Sequence, residues 1–157
     1  MSEIRKTLIL FGGVLFLLFA IDPFAGHCFT LITPEEGAQP DAPMLRTRGI
    51  KLTKIEGEGP QIKIYSPNLE GRLSIPFLVD IAFEASPNKI IDFESLSIKY
   101  LKLIAIDLTG RIKPYLSNNR LMVKDVKVPQ GKHRLQLLIA YTSGEETMME
   151  IILNVEK

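Results

Sequence analysis

Residues 133–155 read HRLQLLIAYTSGEETMMEIILNV, and this stretch decides the predicted fold. Apolar side chains occupy every second position of its first part: Leu135, Leu137, Ile139 and Tyr141. Such alternation is typical of a strand with one buried face. A small polar turn follows, and the alternation resumes at Met149, Ile151, Leu153 and Val155. The stretch therefore predicts a β-hairpin of two strands, His133–Tyr141 and Thr147–Val155.

Five further short segments with strand character precede this hairpin, separated by turns rich in Pro, Gly, Asn and Ser. They are Gln61–Tyr65, Phe77–Glu84, Ser95–Leu103, Ile104–Leu108 and Leu121–Val128. No stretch after residue 30 has the apolar stripe of period 3.6 that a sizeable helix needs. About seven strands in residues 60–157 predict an all-β domain, a single antiparallel sandwich of immunoglobulin-like type. Pro67 ends the first strand or marks it as an edge strand.

Three runs of residues carry a family resemblance: GPQIKIYSPNLEG from residue 59, PFLVDIAFEAS from residue 76 and VPQGKHRLQLLIAYTSGEE from residue 128. They resemble the bacterial immunoglobulin-like and fibronectin-III-like modules of secreted proteins. The run FTLITPEEGAQPDAP, from residue 29, is similar to the start of small uncharacterised exported bacterial proteins with one such module. The resemblance implies a β-sandwich and says almost nothing about function. The paired Cys and buried Trp of antibody domains are absent from the sequence.

The N-terminus has the organisation of a secretory signal peptide. Arg5 and Lys6 precede an uncharged apolar run, Leu8–Ile21. Fourteen helical residues rise only about 21 Å, against about 30 Å of bilayer hydrocarbon, which favours cleavage over a spanning anchor. Residues 1–28 are predicted to be removed, giving a periplasmic or extracellular protein. An uncleaved anchor through residues 8–21 and lipidation of Cys28 are the alternatives.

Residues 29–59 are rich in Pro and Gly and show no sustained period, so they are predicted to form an extended arm or linker. Arg46, Arg48, Lys51 and Lys54 make a thin basic run within this segment. The run either contacts an anionic partner or is simply solvated, and the acidic residues that follow it favour the second interpretation.

Charge and cysteine content exclude several classes of protein. Nineteen Lys and Arg oppose eighteen Asp and Glu, for a net charge of +1, which argues against a nucleic-acid partner. Cys28 is the only cysteine, so no intrachain disulfide and no Cys-based zinc cluster can form. We expect no metal and no cofactor.

Candidate catalytic residues are also lacking, because no nucleophile, Walker or metalloprotease motif occurs. His133 shares a strand face with Leu135 and Leu137 and is interpreted as a core-rim histidine bonded to a nearby carbonyl, rather than a base or metal ligand. Two acidic pairs, Asp80 with Glu84 and Asp92 with Glu94, are interpreted as solvated surface acids.

Two places are candidates for partner contact. The polar loop around Arg111, Lys113 and Tyr115 carries mixed charge and one aromatic, and it is equally explained as an ordinary connection between strands. The strand that contains Ile62 and Ile64 is the other candidate, because an edge strand can accept a strand from a partner.

The function predicted from the sequence is a non-enzymatic interaction or structural module of the cell envelope, binding an unidentified protein or glycan. The first alternative is an accessory subunit, held in the membrane by an uncleaved leader, of a larger envelope complex. A small hydrolase or glycan-active enzyme is the weakest alternative, because the sequence offers no nucleophile and base to pair.

Overall fold

The computed structural model describes residues 28–43 and 54–156. Their backbone is mostly strand: β1 Phe29–Thr30, β2 Lys54–Gly57, β3 Gln61–Ser66, β4 Phe77–Glu84, β5 Ile91–Tyr100, β6 Ile106–Asp107, β7 Leu116–Ser117, β8 Arg120–Lys127, β9 Gly131–Tyr141 and β10 Glu146–Val155. The helical pieces are single turns: α1 Pro34–Gly37, α2 Thr109–Ile112 and a 3₁₀ turn at Lys113–Tyr115. The prediction of an all-β protein without a sizeable helix is confirmed for this part of the chain.

Two five-stranded sheets make the sandwich. The first has the order β1-β8-β4-β3 with β7 also beside β8, and the second has the order β2-β10-β9-β5-β6. The named strands pair antiparallel except for β1 and β8, which are parallel. The sequence of β3 ends at Ser66-Pro67, and β3 lies at the end of its sheet, as the proline predicts.

The alternating apolar residues meet between the sheets. The inner positions of β9 (Leu135, Leu137, Ile139 and Tyr141) and of β10 (Met149, Ile151, Leu153 and Val155) are all buried. Phe83 and Ile81 of β4 and Leu121 and Val123 of β8 belong to the same core. The hairpin register confirms the predicted pairing, because Leu137 lies opposite Met149 and Leu135 lies opposite Ile151.

One predicted strand is wrong over most of its length. Ile104–Leu108 contributes only the two residues of β6, and β5 ends at Tyr100 rather than at Leu103. The chain leaves the sheet there because the N–H of Leu103 donates to the carbonyl of Pro40 at 2.9 Å. Lys102, next to it, forms an antiparallel bridge with Asp41. These contacts interrupt the two successive strands that the sequence predicts, Ser95–Leu103 and Ile104–Leu108.

The predicted arm also differs from the structure in its described part. Phe29 and Thr30 extend the first sheet beside Val126 and Lys127. Leu31 and Ile32 are buried and belong to the hydrophobic core. Thr33 and Glu36 then form a capping box that starts α1. The packed domain therefore includes residues on both sides of residue 60, where the sequence placed its boundary.

The two ends of the sandwich are distinct and are named here for later use. The α1 end carries α1, the β5–β6 loop Leu101–Ala105 and the β8–β9 turn Val128–Gln130. The hairpin end carries the β4–β5 turn Ala85–Ile90 and the β9–β10 turn Thr142–Glu145. At the hairpin end the two turns are joined by a hydrogen bond from Thr142 N–H to the carbonyl of Ile90.

The predicted leader, including the apolar run Leu8–Ile21, and the basic residues Arg46, Arg48 and Lys51 lie outside the described residues. Among the described helices, none has the length and apolar character needed to cross a bilayer.

Candidate functional site

The free edge of β3 is the first candidate site. The direction in which its main-chain N–H and C=O groups point follows from the way β4 pairs with its two neighbours, β3 and β8. The N–H of Phe83 donates to the carbonyl of Asn119, so the main-chain polar groups of Phe83 point away from β3. Phe83 lies opposite Ile62, and Ala82 lies opposite Lys63. Since hydrogen-bonded and non-bonded pairs alternate in an antiparallel ladder, Lys63 bonds to β4 and Ile62 directs its N–H and C=O outward.

By the same alternation the main chain of Ile64 also faces outward. No further strand lies beyond β3 in the part of the chain that the structure describes. The side chains of Ile62 and Ile64 point the other way, since Ile62 is buried in the core and Ile64 packs against it. The two isoleucines can therefore meet a partner through their backbone and not through their side chains.

Tyr65 is the exposed aromatic residue of this edge, and its ring contacts a cation that an ion pair holds in place. Its side chain is 60% exposed. The guanidinium of Arg120 lies 5.1 Å from the centre of its ring. Arg120 in turn forms a bidentate ion pair with Asp80, with both N–O distances 2.6 Å. A cation stacked on the ring restricts an aromatic side chain that would otherwise be free at the surface.

Asp80 was interpreted from the sequence as a solvated acid, and that interpretation is wrong. The residue is only 6% exposed. The hydrogen bonds from Arg120 lower the pKa of this carboxyl against the opposing effect of burial. The sequence held no signal for this burial, because alternation places Asp80 on the outer face of β4 and its partner Arg120 lies 40 residues further along the chain.

Lys63 and Glu84 form a second ion pair along the edge, 2.7 Å apart. The hydrogen bond that Lys63 donates to Glu84 raises the pKa of Lys63. Glu84 also lines a cleft of about 370 Å³ at the hairpin end of β3, together with Gln61, Ser86 and Thr147. A lysine on an edge strand is a common protection against unspecific pairing of that edge.

The second predicted contact surface is occupied by contacts within the protein. Arg111 forms a bidentate ion pair with Glu36, at 2.8 and 2.5 Å, and also donates to the carbonyl of Leu31. Lys113 pairs with Glu94 at 2.5 Å. Tyr115 packs edge-to-face on Phe29, with ring centres 5.0 Å apart. Arg111 in particular serves to hold the N-terminal segment to the domain.

The structure does not bring the two predicted contact surfaces together. Ile62 and Ile64 lie on β3, at one edge of the first sheet, whereas Phe29 of β1, which contacts Tyr115, lies at the opposite edge. A partner that contacts β3 is therefore not expected to reach Arg111, Lys113 or Tyr115.

The interpretation of His133 as a core-rim residue bonded to a carbonyl is confirmed. The residue is 3% exposed. Its Nε2 lies 2.8 Å from the carbonyl oxygen of Pro129 and its Nδ1 lies 2.7 Å from the hydroxyl of Tyr100. The carbonyl can only accept, so Nε2 carries the proton and Nδ1 accepts from Tyr100. Burial is the main cause that lowers the pKa of His133.

Asp92 and Glu94 serve local structure. A carboxylate oxygen of Asp92 accepts from the main-chain N–H of Glu94 at 2.9 Å. The described residues contain no group of three or more His, Cys, Asp or Glu side chains arranged to hold a metal ion. Between the sheets lies a cavity of about 40 Å³ with a wholly apolar lining that includes Ile64, Val79 and Leu137. It is a packing gap in the hydrophobic core.

Comparisons with known proteins give no relative for this chain: no family model, no curated protein and no solved structure matches it.

Proposed function

We propose that this protein is a non-enzymatic interaction module of the cell envelope that binds a partner by accepting an extended strand along β3. The observation that carries the proposal is the outward direction of the main chain at Ile62 and Ile64. An added strand gains main-chain hydrogen bonds with any sequence, and side-chain pockets then select among partners.

Tyr65 supports the same site. Tyrosine is enriched among the residues that dominate interface energies, and one held in place loses little entropy on binding. Arg120, fixed by Asp80, restrains this ring before a partner arrives. A strand laid along β3 would place its outer-face side chains beside Tyr65 and Lys63.

An immunoglobulin-like or fibronectin-III-like classification is part of the proposal. The order of the strands supports it: β3-β4-β8 in one sheet faces β10-β9-β5-β6 in the other, which follows the A-B-E and G-F-C arrangement of such domains. β1, β2 and β7 are then additions to the common pattern. Modules of this type act in many unrelated processes, so the classification leaves the partner open.

Export is proposed on the sequence of the N-terminus, where Arg5 and Lys6 precede Leu8–Ile21. Retention of this run would instead give an accessory subunit held in the membrane within a larger complex. Both versions use the same edge of β3. The non-enzymatic part of the proposal is supported by His133, whose two ring nitrogens are both engaged in hydrogen bonds inside the protein.

The test uses Ile64→Pro, which removes an outward N–H, and Ile64→Val as the matched control that keeps it. Each variant of the full chain is purified, its thermal unfolding is recorded, and binding to the fractionated native envelope is measured. We expect a photo-crosslinker at Tyr65 to capture one partner in the wild type and in Ile64→Val, and capture to be lost in folded Ile64→Pro.

Hydrogen exchange of the wild type provides an independent measurement. The amides of Ile62 and Ile64 should exchange slowly only when the captured partner is bound. Equal capture by Ile64→Pro and Ile64→Val, or unchanged exchange at both amides, would show that β3 does not accept a strand.

A further inference from the structure

Residues 37–42, which begin at the last residue of α1, form a strap on the α1 end of the sandwich. None of these six residues is buried. The strap is held instead through three of its carbonyl groups, which accept hydrogen bonds from the body of the domain: Gly37 from Lys102 at 3.0 Å, Pro40 from the N–H of Leu103 at 2.9 Å and Ala42 from Arg134 at 3.3 Å. A segment that is held by a few polar contacts opens at a low cost in free energy.

The chain just before the strap is held much more firmly. Leu31 and Ile32 are buried in the core. Glu36, the residue next to the strap, receives two hydrogen bonds from the guanidinium of Arg111. The strap therefore has a fixed point at its N-terminal end and is able to leave the domain without the residues that precede it.

The strap covers a buried group of three polar side chains: His133, Tyr100 and Lys102. They are 3%, 0% and 5% exposed. The ring centre of Tyr100 lies 5.6 Å from that of His133 and 4.9 Å from the Nζ of Lys102. A Cβ atom at Gly37 would lie only 3.8 Å from Cε1 of His133, so the backbone of the strap packs directly on the imidazole. Removal of the strap would open this group to water.

The charges around His133 are balanced while its ring is neutral. Each cation nearby has a partner or lies in solvent: Lys102 pairs with Asp41 at 2.6 Å, Arg134 pairs with Glu150 at 2.8 Å, and Lys132 is exposed. On β10 the residue opposite His133 is Leu153, which carries no charge. Burial and then Lys102 lower the pKa of His133, against the hydrogen bond to Pro129 and the charge of Asp41. A proton on His133 would therefore add a buried positive charge without a partner of its own.

We propose that the strap is a pH-controlled cover: protonation of His133 releases residues 37–42 from the α1 end, so that the imidazolium and the ammonium of Lys102 reach water. Nε2 of His133 already carries a proton, so the second proton goes to Nδ1. The hydroxyl hydrogen of Tyr100, which points at Nδ1, must then turn away. The positive charges of His133 and Lys102 are solvated once the strap has left.

The direction of the switch follows from the same contacts. The docked form binds the proton less readily than the open form, so the strap is docked at neutral pH and is released as the pH falls below the usual pKa of histidine, 6.5. This inference goes beyond the proposed function and involves no residue of β3.

The experiment follows two main-chain amides of the full chain by hydrogen exchange, in a His27→Gln background that leaves His133 as the single histidine. The amide of Leu103 reports on the strap, because it donates to the carbonyl of Pro40. The amide of Leu31 is the matched control, because it donates to the carbonyl of Lys127 at 3.0 Å, on the other side of Glu36. Exchange rates are corrected for the intrinsic effect of pH, and the charge of His133 is followed by the NMR signal of its Cε1 proton.

From neutral to mildly acidic pH we expect the protection of the Leu103 amide to fall several-fold, with the same midpoint as the titration of His133. The protection of the Leu31 amide should stay unchanged. Protonation of His133 with full protection at Leu103 would overturn the proposal. Loss of protection at Leu103 and Leu31 together would overturn it as well, because the acid transition would then be unfolding of the whole domain.

His133→Gln in the same background tests which group acts as the switch. The variant has no imidazole to protonate, so the Leu103 amide should keep a constant protection over the same range of pH. A pH-dependent loss that persists in folded His133→Gln would assign the release to another group and overturn the role of His133. Capture by β3 is measured at neutral pH, where the strap is docked, so failure of either proposal is recognised without the other.

Discussion

Both carboxylate oxygens of Glu36, in the first turn after β1, accept hydrogen bonds from the guanidinium of Arg111. Glu36 is also the residue that closes the capping box of α1 on the N–H of Thr33. The pKa of Glu36 is lowered, chiefly by the hydrogen bond from Arg111. One side chain thus starts the helical turn and joins it to the body of the sandwich.

Replacing Glu36 by Gln should destabilise the fold. The substitution leaves the half-buried guanidinium of Arg111 without its counter-charge, for which we expect a loss of about 1–3 kcal/mol. The measurement is the free energy of unfolding in urea at neutral pH. Glu35→Gln is the control, since Glu35 is exposed and adjacent in sequence. Equal stability of the two variants would mean that the ion pair does not hold the segment.

Ile32→Ala tests whether the N-terminal segment belongs to the core. Ile32 is almost completely buried, and truncation of such a side chain typically costs about 2–5 kcal/mol. Thr30→Ala, at an exposed position of β1, should change the free energy of unfolding by less than about 0.5 kcal/mol. If both variants unfold at the same urea concentration as the wild type, the stability of the folded domain does not depend on the burial of Ile32.

Stability should fall as the pH is lowered through the ordinary pKa of histidine. Burial lowers the pKa of His133 below its usual value of 6.5, and the nearby Lys102 acts in the same direction. The unfolded chain therefore binds a proton at a higher pH than the folded chain does. The stabilisation is complete well above pH 6.5 and is lost progressively below it.

The measurement is urea unfolding between neutral and mildly acidic pH, in a His27→Gln background so that one histidine remains. His133→Gln should remove the pH dependence in this range. The paired carboxyls of Glu36 and Asp80 do not interfere, because their pKa values are lowered from 4.5 and 3.8. A slope that persists without His133 would assign the pH dependence to another group.

Alternation of apolar residues was enough to predict the strands that build the core. β4 has the predicted bounds, and β9 and β10 differ from the prediction by one or two residues. Pro67 predicted that β3 ends there or lies at an edge, and the structure shows both. Strands of this kind bury every second residue, and this burial appears in the sequence as alternation of apolar and polar residues.

Contacts between residues far apart in the chain produce no periodic pattern in the sequence. β1 is two residues long, too short to show a period, and it is stabilised by its pairing with Val126 and Lys127. Arg111 lies in a loop whose mixed charge suggested a binding surface, yet its partner is Glu36. Tyr65 was not singled out because its stacking on Arg120 depends on the approach of β3, β4 and β8. Single-sequence periodicity carries no information about pairs of this kind.

The parallel pairing of Phe29 with Val126 has a consequence for how the protein is made. A chain leaves the ribosome N-terminus first, so Leu31 and Ile32 emerge long before the strand that β1 pairs with has been synthesised. Until β8 and β9 are complete, these apolar residues have no core to enter and are available to a chaperone. The sandwich therefore acquires its final packing only when β8 and β9 are available, and β1, the first of its strands along the chain, is among the last to dock.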